Sequence, residues 1–171
     1  LTAGHAVAGS TGKALSDAGA AGDPWAAAVR TLTSSAAATA ATVAGSSITI
    51  TRGDTASIAL TGLGDLSLRT KLWFTVKSKH TDADTASILQ VEETGGLLYL
   101  NGATTTITNA TLVVDDEAAG NITITLLAAA TAALTPGTYK YDIQQLTTTP
   151  AVLTETAGTF TVSADYTRAV A

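Results

Sequence analysis

The side chains able to do chemistry in this 171-residue chain are few and widely spaced. Imidazole is limited to His5 and His80, and cysteine is absent, which excludes thiolate catalysis, disulfides and Cys-ligated metals within the chain. His80 stands beside Lys79 and Asp82 with no second histidine near it, so the pattern does not make a zinc site. Carboxylates cluster twice, in Asp82-Ala-Asp84 and in Asp115-Asp116-Glu117. A calcium loop needs a series of oxygen ligands with a glycine at the bend, whereas Asp84 is followed by Thr85, Ala86 and Ser87. Solvated loop acids are the expectation. Serines are plentiful, yet no Gly-x-Ser-x-Gly elbow surrounds any of them. Gly62-Leu-Gly64 has no helical pattern after it and reads as a turn, not a phosphate cradle. Arg52-Gly53-Asp54 spells an adhesion tripeptide, but it falls where a strand must turn, and turns select Gly and Asp. Asn109-Ala-Thr111 and Asn121-Ile-Thr123 match the glycosylation acceptor, as chance allows in a Thr-rich chain. Trp73 remains. On the face opposite Phe74 and beside Lys71 and Lys77, it is expected to be a subunit contact, with a glycan-stacking platform as the alternative.

Nothing in this inventory implies an enzyme, a cofactor or a metal. Charge excludes further classes. Nine Lys+Arg against 14 Asp+Glu give a formal net charge of −5, and the basic residues are scattered singly, which argues against nucleic acid. No apolar run approaches the roughly 18 residues of a membrane span. The opening Leu1-Thr2-Ala3-Gly4-His5 has no basic segment followed by an apolar stretch, so no signal peptide is expected. The chain has no methionine, which fits processing or the ordered portion of a longer protein. Hydrophobic residues make up 46%, but much of that is alanine, and aromatics are only 5%. A thin core of inward β-branched side chains between two sheets is what such a composition can build.

The elements that would position these residues differ on either side of Gly45. Residues 1–45 are rich in Ala, Gly and Ser and show no strand pattern. Asp23-Pro24-Trp25 is a helix start, with Asp capping and Pro at the first helical position, and Trp25, Val29 and Leu32 then share one face. A second weak helix is expected through Ala36–Val43, stopped by Gly45, and an earlier turn around Lys13–Ala18. Alanine buries little area and helices this short are marginal in water, so the segment is expected to gain order by packing on neighbours, with Trp25, Val29 and Leu32 as contacts.

Residues 46–171 read as strands. Ser47–Arg52 alternates with period two, Ile58 and Leu60 mark a second strand, and Leu72, Phe74 and Val76 share one face of the third. Ser87–Glu92 and Leu97–Leu100 follow, the latter closed by the hairpin signal Asn101-Gly102. Thr105–Thr108, Leu112–Val114 and Asn121–Leu126 are further strands, and Ala128–Leu134 is a short helical crossing ended by Pro136-Gly137. Thr138–Leu146 puts Tyr139, Tyr141 and Ile143 on one face, and Gly158–Ser163 closes with Phe160 and Val162 inward. Short strands at this spacing predict an antiparallel β-sandwich, immunoglobulin-like in outline, with a small closed barrel as the rival.

Several phrases resemble proteins of tailed-phage particles. Ala8 to Trp25 (AGSTGKALSDAGAAGDPW) resembles a Gly/Ala-rich segment of phage tail, baseplate and fibre proteins. Ile50-Thr-Arg-Gly-Asp54, Leu72-Trp-Phe-Thr-Val-Lys77, Thr135-Pro-Gly-Thr-Tyr-Lys-Tyr-Asp-Ile-Gln144 and Gly158-Thr-Phe-Thr-Val162 are similar, in the same order, to the N-terminal β-domain of phage upper baseplate proteins. The resemblance implies a non-enzymatic virion component that assembles with itself, as a trimer by analogy with phage fibres, and with other virion proteins. Its location would be the extracellular particle. The chain closes at Tyr166–Ala171 soon after the β-domain, which favours a connector, collar or capsid-decoration role over host binding. A carbohydrate-binding adhesion module, using Trp73 and the loop Lys79–Thr85, is the alternative.

Overall fold

The computed structural model describes residues 39–166 apart from 41, 45 and 106. The chain divides into two compact units between Ala36 and Ala37, and every described residue belongs to the second. Trp25, Val29 and Leu32, with the helix expected to carry them, lie outside the described residues.

Strands β1 (Thr39–Ala40), β2 (Thr42–Ala44), β3 (Ser47–Thr51), β4 (Ala56–Leu60), β5 (Arg69–Lys77) and β6 (Leu89–Glu92) come first. They are followed by β7 (Gly96–Leu100), β8 (Ala103–Thr104), β9 (Ala110–Asp116) and β10 (Asn121–Leu126). Helix α1 (Ala128–Ala133) leads to β11 (Gly137–Thr147) and β12 (Val152–Ser163). The strands form a 4-stranded sheet in the order β1-β4-β10-β9 and an 8-stranded sheet in the order β2-β3-β12-β11-β5-β6-β7-β8.

The two sheets share one core because each strand alternates. Ile58 and Leu60 of β4 and Ile122, Ile124 and Leu126 of β10 face Leu72, Phe74 and Val76 of β5, Tyr141 and Ile143 of β11, and Phe160 and Val162 of β12. At its centre the Phe74 ring lies 5.6 Å from that of Tyr141 and 5.8 Å from that of Phe160, tilted and edge-on respectively. These are the orientations that aromatic quadrupoles favour. A compact aromatic trio thus compensates for a chain poor in large side chains.

The joints between strands are fixed by specific bonds. Asn101 and Gly102 both take positive φ, 51° and 75°, which is the backbone a tight two-residue hairpin requires. The Arg52 Nε donates to the Leu134 carbonyl at 2.9 Å, and the Thr131 hydroxyl donates to the Asp54 carbonyl at 2.7 Å. Together they pin the Arg-Gly-Asp turn to α1. At the start of β11 the Tyr139 hydroxyl donates to the Thr135 carbonyl at 2.8 Å. Gly158 lies where β12 begins to pair with β3, and a Cβ on it would overlap the Ser46 carbonyl. That close approach, not an unusual φ, is what demands glycine.

Four expectations need correction. The sandwich is not wholly antiparallel: β1 pairs with β4, and β3 with β12, in parallel. Where a helix was expected through Ala36–Val43, residues 39–40 and 42–44 are strands, because pairing with β4 and β3 supplies their backbone hydrogen bonds. The expected strand Thr105–Thr108 is displaced by a 3-10 turn at Ile107–Asn109. Strand β12 starts at Val152, ahead of the expected Gly158, because its first half pairs with the far end of β11.

Candidate functional site

The outer face of the large sheet carries Trp73 among polar side chains from three adjacent strands. Alternation sets this up: with Leu72, Phe74 and Val76 inward, Trp73, Thr75 and Lys77 must point outward. Register then places residues distant in sequence alongside them. Trp73 lies opposite Gln144 of β11 and Glu92 of β6, while Thr75 lies opposite Asp142 and Gln90.

The loop after β5 forms one wall. Asp82 accepts from the Lys79 amide at 2.9 Å and donates its own amide to the Lys79 carbonyl at 3.1 Å, closing a tight turn. The Lys77 ammonium reaches Asp84 Oδ1 at 2.7 Å and ties the loop to the sheet. Two adjoining depressions result. One, of about 470 Å³, is bounded by Trp73, Gln90, Gln144 and Val152. The other, of about 510 Å³, extends over Gly158 toward Ser46 and Ser47. They share Thr75, Lys77, His80 and Asp142 and so make one groove across the strands.

The groove has a distinct electrostatic character. Lys77 is engaged by Asp84, and the Lys71 ammonium stands 5.9 Å from the Trp73 ring centroid. Burial pushes the Asp142 carboxyl above its ordinary pKa; Lys77 partly offsets this and Asp84 adds to it. The Gln144 Nε2 donates to Asp142 Oδ2 and to the Thr154 hydroxyl, both at 3.3 Å. Gln90, which is buried, donates to the Thr75 hydroxyl at 3.1 Å. An indole, the Gln144 carboxamide and a desolvated carboxylate therefore converge on one groove, with the Gln90 carboxamide buried at its floor.

The other sequence candidates are absorbed by the fold. Asp115 accepts from the Thr123 hydroxyl at 2.7 Å, Asp116 from the Ala119 amide at 3.0 Å, and Glu117 pairs with Arg69 at 3.0 Å. Among the described residues no group of three or more His, Asp or Glu could hold a metal ion. Asn121 accepts from the Gly62 amide at 3.3 Å, placing that acceptor motif in a turn contact. Trp73 and His80 are brought to the same groove. Asp142, Gln144 and Gln90 were not singled out from sequence, although Asp142 and Gln144 alternate with the inward Tyr141 and Ile143, a signal that marks them as outward.

No family model matches the chain, and no curated protein matches it in sequence. Among solved structures it is similar to a chain from a study of T cell activation by the bacterial superantigen toxic shock syndrome toxin-1. Identity is 12% over 72% of this chain and 99% of that one, with a TM-score of 0.44. It is also similar to the NK cell receptor Nkp44, at 13% identity over 72% of this chain and all of that one, TM-score 0.42. Murine CRIg follows at 12% identity, over 70% and 92% of the two chains, TM-score 0.37. Likenesses this slight carry no argument about what the chain does.

Proposed function

We propose that the chain is a non-enzymatic structural component of a tailed-phage particle, built around an immunoglobulin-like unit of the variable type. Strand order supports the fold assignment: β4, β10 and β9 correspond to B, E and D, and β12, β11, β5, β6 and β7 to G, F, C, C′ and C″, while β1, which runs parallel to β4, departs from the pattern. The Tyr139–Thr135 bond at the start of β11 is the tyrosine corner of that architecture.

The observation that carries the particle assignment is where the phage-like phrases fall. Arg52-Gly53-Asp54 is the turn pinned to α1, Leu72–Lys77 forms the central strand, Thr135–Tyr139 forms the corner, and Gly158–Val162 is the strand closing on β3. The similarity therefore lies at fold-determining positions in a fixed order, as expected of a shared module and not of scattered composition. Among the described residues the core runs from Ile48 to Val162, so this unit has its own interior. Residues 1–36 then supply the attachment to like copies and to neighbouring virion proteins.

Mass spectrometry of purified particles, followed by imaging of particles carrying a labelled chain, tests the reading. With residues 1–36 deleted, the β-unit is expected to stay folded and monomeric but to be missing from particles. Particles that never contain the full chain overturn the assignment. Incorporation of the shortened chain overturns the role given to residues 1–36.

A further inference from the structure

We propose that the groove on the outer face of the large sheet is a binding site for an uncharged oligosaccharide, with Trp73 as the stacking platform and Asp142, Gln144 and Gln90 as the hydroxyl-reading groups. The proposal is independent of the particle assignment, because binding is a property of the isolated chain.

Three features converge on this ligand chemistry. First, the indole of Trp73 is only half-buried, at the edge of a groove whose two depressions measure about 470 and 510 Å³. That range suits small-ligand sites, and the flat C–H face of a pyranose can lie on such a ring once the Lys71 side chain, 5.9 Å from the ring centroid, swings aside. Second, the polar lining is of the kind that vicinal hydroxyls need. A carboxylate has about four acceptor positions, and a carboxamide offers a donor and an acceptor side by side. Among the described residues the donor to the Asp142 carboxylate is Gln144 Nε2, at a long 3.3 Å, which leaves acceptor capacity toward the groove.

Third, the lining charges balance, Lys77 and Lys140 against Asp84 and Asp142, so the groove selects no ion of either sign. Lys77 is paired with Asp84 at 2.7 Å, Lys71 stands over the Trp73 ring, and Asp142 brings its own negative charge to the middle of the groove. A phosphate or sialic acid would meet the Asp142 carboxylate as well as the Lys77 and Lys140 ammonium groups, with no net attraction from the lining. Keeping a desolvated carboxyl on an open sheet face has a stability cost, which ligand hydroxyls would offset on binding.

The experiment uses the full chain carrying Trp25→Phe, which leaves Trp73 as its single indole, since the chain has two tryptophans. Its emission is titrated with di- to tetrasaccharides of glucose, galactose, rhamnose and N-acetylglucosamine, and the same probes are printed as an array. At least one probe is expected to shift the emission saturably. Asp142→Asn and Gln144→Ala should each weaken that binding about tenfold or more, with circular dichroism unchanged. On the array, Trp73→Ala should abolish the signal and Trp73→Phe should retain part of it. Absence of a response to every probe overturns the proposal, as does binding that Asp142→Asn and Gln144→Ala leave intact. Sedimentation showing copies of the chain associated through this face, and separated by Trp73→Ala, overturns it in favour of a subunit contact.

Discussion

Arg69 holds Glu93 with a two-pronged grip: Nε donates to Oε2 at 2.8 Å and Nη2 to Oε1 at 2.6 Å. Its Nη1 meanwhile donates to the Leu66 carbonyl at 2.9 Å and to Glu117 Oε1 at 3.0 Å. One guanidinium therefore joins the β4–β5 loop, the β6–β7 turn and the β9–β10 turn. The Glu93 hydrogen bond is the main reason that the Arg69 pKa lies above its ordinary value, with burial opposing it and Glu117 adding to it.

Arg69→Ala is expected to destabilise the fold by about 2–3 kcal/mol, since it leaves a partly buried carboxylate and a loop carbonyl without their donor. Arg69→Lys should recover little, because an ammonium cannot span both oxygens. Urea denaturation of the three proteins checks the order.

Gly158→Ala should cost about 3 kcal/mol, at the upper end of overpacking penalties, because the clash is with the Ser46 backbone and not with a movable side-chain tip. Gly137→Ala is the control. The nearest atom there is the Tyr139 hydroxyl at 3.4 Å, an ordinary contact, and its loss should stay below about 1 kcal/mol. Thermal melts of both variants test the contrast.

Tyr139→Phe removes the corner bond to Thr135 and should lower stability by about 1 kcal/mol. The phenol is partly solvated, so the loss should not exceed that of a typical single hydrogen bond. Chemical denaturation at fixed pH reads it directly.

Asp142 should make stability fall as pH rises. Its folded-state pKa is raised by burial, so between the ordinary aspartate value and that higher one the native state holds more protons than the unfolded chain. The slope of unfolding free energy against pH is then negative for this group, and the cost is fully present above the raised value. Lys77, Lys140, His80 and Asp84 surround it and are unchanged in the test. Asp142→Asn should therefore be more stable than the parent at neutral pH, with the gap closing on acidification. Denaturation curves across that range would refute this if the gap widened toward acid.

Much of this was legible along the chain where the determinant is local. The alternation Leu72, Phe74, Val76 put Trp73 on the outer face, and Asn101-Gly102 marked the hairpin that the positive φ values bear out. The short helix before Pro136 was legible too. Residues 39–40 and 42–44 were not, since the alanines among them carry little strand signal and their backbone is fixed by β3 and β4, which follow. The groove was half legible for the same reason. Trp73 and His80 belong to one strand and its loop, whereas Gln90, Asp142 and Gln144 join them only through strand register.

The parallel pairing of β3 with β12 sets how the unit responds to tension. Its ladder runs from Ser47 beside Thr159 to Thr51 beside Ser163, so the incoming and outgoing ends of the chain leave from opposite ends of the same ladder. A pull between them, once the short β1 and β2 have peeled away, shears the ladder's evenly spaced bonds together and does not unzip them one at a time. Force spectroscopy of the chain held by its termini is expected to show one abrupt high-force rupture, so a tether strung through this module would stay taut until the whole ladder gives way.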